Sequence, residues 1–94
     1  MSDSTPSNDA IGELAKAMAG VAGSAHSLDE IAAWLRAQPG VTSVELGDYL
    51  LKSNPPQRDF LVECAQKDGS KVRKVLNVYV LDGDKFQFNC VRDP

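Results

Sequence analysis

From Gly40 to the end of the chain, the large apolar side chains recur on even-numbered positions. Val44, Leu46 and Leu50 open the pattern, and Phe60, Val62 and Cys64 continue it. Val72, Leu76, Val78 and Val80 follow, then Phe86, Phe88 and Cys90. A two-residue period belongs to a strand with one face turned to a core. β-branched and aromatic side chains, frequent in these runs, fit a pleated surface. Four strands are predicted, near 41–52, 59–66, 71–81 and 85–91. Asp68-Gly69 and Asp82-Gly83 mark the turns between the last three.

A shared face constrains those turns. An even-numbered loop would set the apolar residues of one strand against the polar residues of the next, so the loops must be odd. Three-residue loops at Asp68-Gly69-Ser70 and Asp82-Gly83-Asp84 meet the condition, with a glycine bulge at one or both. They pair Val62 with Leu76, Phe60 with Val78, Val80 with Phe86 and Val78 with Phe88. Cys64 then lies opposite Lys74 and Cys90 opposite Leu76. The two cysteines are two strand spacings apart, more than about 9 Å, beyond the ~7 Å reach of a disulfide. Both are expected to be buried free thiols that behave as small hydrophobes, as suits a reducing compartment.

Before Gly40 the period is helical. Ile11, Leu14, Ala15, Met18 and Val21 or Ala22 recur at three- and four-residue steps. Asn8 or Asp9 is placed to cap this helix, and Gly20 to fray its end. Ser27-Leu28-Asp29-Glu30 reads as a capping box, with Ser27 accepting from the Glu30 N–H and the Glu30 carboxylate reaching back to the N–H of Ser27. Leu28, Ile31, Ala32 and Leu35 form one apolar stripe, with Trp34 at its edge. Gln38-Pro39-Gly40 ends the helix near residue 37.

The prediction is therefore one α+β domain over 9–94, in the order α-α-β-β-β-β, behind a disordered tail at 1–8. The second helix packs on a four-stranded antiparallel meander. In element order this resembles the cystatin-like group and the two-helix, four-strand unit of β-lactamase-inhibitor proteins. The likeness is one of topology, carried by no residue motif.

Several functions find little support. The 94 residues carry a net charge of −3, which disfavours a general nucleic-acid binder. No apolar run approaches a membrane span, and Met1 to Pro6 has no secretory pattern, so a cytoplasmic protein is expected. His26, the sole histidine, sits between the helices beside Ser24 and Ser27, where solvation explains it better than acid–base work. Two distant cysteines and one histidine make no zinc site, and Asp82-Gly83-Asp84 lacks the rest of a calcium loop. No phosphate cradle is present, because Gly20-Val21-Ala22-Gly23-Ser24 follows a helix and not a strand. No catalytic residue, metal or cofactor is expected.

Charge is uneven along the chain. The first fifty residues hold two basic and seven acidic groups, and the remainder eight and six. Lys67, Lys71, Arg73 and Lys74 form a basic spot that could meet a phosphate backbone. Charging a strand edge against aggregation explains it more simply.

The odd-numbered face of the sheet is the informative feature. Tyr49, Leu51, Leu61, Ala65, Val75, Tyr79, Leu81 and Val91 stand there, among Glu45, Glu63, Arg73, Asn77, Gln87 and Asn89. A face meant only for water would be more polar. Three arrangements would hide it: the first helix folded over it, a second copy in a homodimer, or a partner protein. The expected function is a small non-catalytic interaction module of inhibitor, immunity-type or adaptor kind. Tyr49, Leu51, Leu61, Val75, Tyr79 and Leu81 would bind the partner. Asn54, Pro55, Pro56 and Arg58, in a proline-stiffened loop at 53–58, would assist. The acidic first half suits a partner with a basic surface. Two alternatives stand beside this: a small ligand or minor enzyme pocket between helix and sheet, and a nucleic-acid accessory binder using the 67–74 hairpin.

Overall fold

Two helices, α1 (Asp9–Ser24) and α2 (Leu28–Ala37), precede four strands, β1 (Val41–Leu50), β2 (Gln57–Ala65), β3 (Lys71–Leu81) and β4 (Lys85–Arg92). They are seen in a computed structural model that describes residues 9–82 and 85–94. The tail expected at 1–8 and the cap expected at Asn8 or Asp9 lie outside the residues whose side chains are described, as do Gly83 and Asp84 of the second turn. The strands form one antiparallel sheet in the order β1-β2-β3-β4. The fold is thus α+β, two N-terminal helices and a four-stranded meander.

α1 does not fray at Gly20. It runs on to Ser24, whose hydroxyl donates to the carbonyls of Gly20 (3.4 Å) and Val21 (3.3 Å). α2 starts as its cap requires, with the Glu30 N–H donating to Ser27 Oγ at 3.1 Å. The return bond of the box is displaced by one residue, because Glu30 Oε1 accepts from the His26 N–H at 2.9 Å. Either way a backbone donor ahead of the helix is satisfied. Gly40, with φ +86°, turns the chain out of the helix into β1.

The β2–β3 hairpin keeps odd parity but shifts by one loop position. The loop is Lys67-Asp68-Gly69, closed by Gln66 N–H to the Ser70 carbonyl (2.8 Å) and Gly69 N–H to the Gln66 carbonyl (3.0 Å). Gly69 takes φ +90°, the left-handed position of a glycine bulge. Asp68 Oδ1 accepts from the Ser70 hydroxyl (2.6 Å) and N–H (2.9 Å), and both bonds hold its carboxyl below the usual range. Phe60 therefore pairs with Leu76, Arg58 with Val78 and Cys64 with Val72, in place of the expected partners. The β3–β4 pairs Val80 with Phe86 and Val78 with Phe88 are as predicted.

Strict alternation fails at three bulges. Thr42 is an extra residue on β1, Gly47 and Asp48 together oppose Asp59, and Asn89 and Cys90 together oppose Asn77. Each extra residue exchanges the two faces of the strand beyond it. Val41 and Val91 thereby join the side of Cys64 and Leu76, while Cys90 turns to the side of Asn77. Tyr49 pairs with Arg58 on the side of Val78, and Leu50 pairs with Gln57 on the other.

Both helices cover the same face. Ile11, Leu14, Met18 and Ala22 of α1 join Ile31, Ala32 and Leu35 of α2 in one core with Val44, Phe60, Val62, Cys64, Leu76, Val78 and Phe86. α1 lies over β4 and the adjoining part of β3, and α2 lies over β1. Phe60→Ala should cost about 3–5 kcal/mol, whereas Leu51→Ala, two-thirds exposed, should stay within about 0.5. Urea denaturation of the two variants checks this, and equal losses would contradict the assigned core.

Candidate interaction face of the sheet

No helix covers the second face. Four rows of side chains cross it, following the strand pairing. Ser43, Glu63 and Arg73 form one; Glu45, Leu61, Val75 and Arg92 the next. Asp59 and Asn77 come third, between the two bulges, and Leu50, Gln57, Tyr79 and Gln87 fourth. Ala65 and Lys71 close one end, and Leu81 and Lys85 the other, beside the last turn.

A polar network holds its centre. The Asn77 side-chain amide donates to Asp59 Oδ1 at 2.6 Å, and that of Asn89 donates to Asn77 Oδ1 at 2.9 Å. Arg92 Nη2 donates to Asp59 Oδ2 at 2.5 Å, and this bond raises the Arg92 guanidinium further above its ordinary value. Asn77 has no exposed surface and Asp59 keeps 4%, although no helix lies above them. Their neighbours on the sheet shield them, and Val75, 8% exposed, lies beside them outside the main core. The bulge at Asn89 and Cys90 makes this possible, since it brings Asn89, Cys90 and Arg92 to one side of β4. Arg92 is the solvent-facing member, its side chain 44% exposed.

The face unites four of the residues expected in it: Leu61, Val75, Tyr79 and Leu81. Tyr49 is corrected to the helix-facing side, where the Arg58 guanidinium stacks 5.1 Å from its ring centroid. The cause is the bulge at Gly47, where an added Cβ would approach that of Asp59 to 3.1 Å. Leu51 lies just past β1, exposed, with Asn54, Pro55 and Pro56 in the connection to β2. Arg58 is not a loop residue but part of β2, and its Nε is buried without a hydrogen-bond partner. Alternation alone does not bring Cys90 and Arg92 into this site. Only Gly47 offers a signal, since an isolated glycine within a strand marks a bulge or close backbone approach.

Both cysteines are free. Cys64 is buried in the core as expected, and burial, with Glu63 nearby, pushes its thiol up. Cys90 departs from expectation, being half-buried on the uncovered face. A recess of about 270 Å³ lies where α1 meets the end of α2, lined by Leu14, Ala17, Val41 and Cys64 with Glu13 and Gln38. Among the described residues, no three His, Cys, Asp or Glu side chains gather as metal ligands. No helix among them is long and apolar enough to cross a membrane. The chain matches no protein-family description, no curated protein and no solved structure.

Asp59→Ala leaves the Asn77 amide unpaired beyond the reach of water and should cost about 1–3 kcal/mol. Arg92→Ala opens the Asp59 carboxylate to water at a half-exposed position and should cost less than Asp59→Ala. Urea titration separates the two, and equal costs would show that Asn77 finds another acceptor. A thiol reagent applied to the folded chain should modify Cys90 well before Cys64, whose raised pKa and burial both slow attack. Peptide mapping reads the order, and the reverse order would contradict the bulge on β4.

Proposed function

We propose that this chain is a small non-catalytic protein–protein interaction module, of inhibitor, immunity-type or adaptor kind, working in the cytoplasm. The binding surface is the uncovered sheet face, with Leu61, Val75, Tyr79 and Leu81 as apolar elements and Arg92 at their polar margin. One observation carries the reading: both helices pack on the same side of the sheet. The other side is left with a tyrosine, aliphatic side chains and a fixed polar network. Tyr and Arg amid apolar surface are the residues that anchor interfaces. The network adds preorganisation, because Asp59 and Asn77 hold Arg92 in place and less order is lost on binding. The Leu51 and 53–56 segment adjoins the Leu50 end of the face and serves as a rim.

The recess of about 270 Å³ beside Cys64 supports a second reading, a small apolar ligand held between helix and sheet. The basic hairpin gives nucleic-acid binding less support. Its cations divide between the faces, Lys71 and Arg73 on one and Lys74 on the other, and Lys74 pairs with Asp93.

The test is affinity capture from native lysate with the wild-type chain and with Tyr79→Arg and Leu61→Arg. Both variants should fold and lose the proteins that wild type retains. Unchanged capture by two folded variants would remove the face as the binding surface.

A further inference from the structure

The cations and carboxylates of the uncovered face are segregated by strand. Among its described strand residues, the carboxylates Glu45, Asp48, Asp59 and Glu63 all lie on β1 or β2. The cations Lys71, Arg73, Lys85 and Arg92 all lie on β3 or β4. One half of the face is acidic and the other basic; Asp59 and Arg92 already pair with each other, which leaves three carboxylates against three cations.

We propose that this face packs against the same face of a second copy, about a twofold axis parallel to the strands and midway between β2 and β3. The proposal rests on the reading of this face as an interaction surface and names its partner. The basic surface that suits β1 and β2 is present on β3 and β4 of the same chain.

Symmetry decides the orientation. A twofold interface joins a patch to itself, so the patch must be self-complementary. An axis parallel to the strands lays β1 over β4 and β2 over β3. Glu63 then faces Arg73 of the second copy, Glu45 faces Arg92, and Leu61 faces Val75 between them. Each contact occurs twice. An axis across the strands would lay β1 and β2 on themselves and set carboxylate against carboxylate. Glu63 and Arg73 are available for the role. Neither takes part in the two ion pairs seen among the described residues, although they are cross-strand neighbours within the chain. Stacked sheets lie about 10 Å apart with nearly aligned strands, a gap that opposing Glu and Arg side chains can span.

Size sets the strength. Four strands about 4.8 Å apart and some eight residues long present a flat area of roughly 500 Å², less than the ~800 Å² per partner of a standard interface. The dimer should therefore be weak and concentration-dependent. Its charged contacts should also make it weaken as salt is added.

Sedimentation velocity on the full chain tests this with Glu63→Arg and Arg73→Glu, each checked for folding by circular dichroism. Wild type should dimerise reversibly, and each variant alone should lose affinity roughly tenfold or more, since like charges meet twice. An equal mixture of the two should dimerise again, because the guanidinium introduced in one chain then meets the carboxylate introduced in the other. That recovery is intermolecular and does not follow from repairing a contact within one chain. A wild type monomeric at millimolar concentration overturns the proposal. So does a wild-type dimer that ignores salt, or a mixture of folded variants that stays monomeric. Should one variant fail to fold, the salt response of wild type decides. A monomeric wild type whose captured proteins are lost in Tyr79→Arg removes the second copy and leaves the interaction face. A monomer with unchanged capture removes both.

Discussion

A sheet has two faces, and two short helices in this chain are spent on one of them. α1 and α2 converge on Phe60, Val62, Leu76 and Val78, which retain no exposed surface. Burying that face supplies the main drive to fold, since apolar area removed from water contributes about 25 cal/mol per Å². The arrangement leaves the opposite face without a layer. Everything distinctive about that face, including its buried asparagine, follows from how the strands manage without cover.

The solution is a polar network set among apolar neighbours. Asp59 and Asn77 are cross-strand partners, shielded by Arg92 and Asn89. A buried amide and a buried carboxylate are tolerated because each is hydrogen-bonded, and the half-exposed Arg92 keeps its charge partly hydrated. Such a centre also fixes register, because sliding either strand by one residue would take the Asn77 amide away from the Asp59 carboxylate and set it opposite Arg58 or Phe60. The bulge at Asn89 and Cys90 is what permits it. Without the extra residue Arg92 would face the helices and could not reach Asp59.

Even-numbered alternation in Phe60, Val62, Val78 and Phe88 is enough to reveal the buried face, the element order and the odd turn parity. The capping serine at 27 is equally legible, because its partner lies three residues away. What alternation cannot reveal is where it stops. Gly47 hints at the β1 bulge, but Asn89 and Cys90 are ordinary strand residues, and only pairing with Asn77 shows that both oppose one position. The consequence for the candidate site is specific: alternation alone puts Tyr49 on the wrong face and turns both Cys90 and Arg92 toward the helices. The one-residue displacement of the Asp68-Gly69 turn has a milder effect. It moves the cross-strand partners by two and so keeps every β2 and β3 side chain on its expected side.

The bulges bear equally on how the sheet can meet another molecule. Both edge strands carry them, Thr42 and Gly47-Asp48 on β1 and Asn89-Cys90 on β4. A bulged edge twists and interrupts its row of backbone donors and acceptors, so it is a poor template for an added strand. Association by extending the sheet is thereby discouraged at both ends. The same residues favour association through the face. The β4 bulge turns Arg92 to the uncovered face, and the β1 bulge turns Tyr49, still exposed, to the helix side and Leu50 to the uncovered face. Irregularities that close the edges thus assemble the surface, and charge segregated by strand gives that surface an orientation.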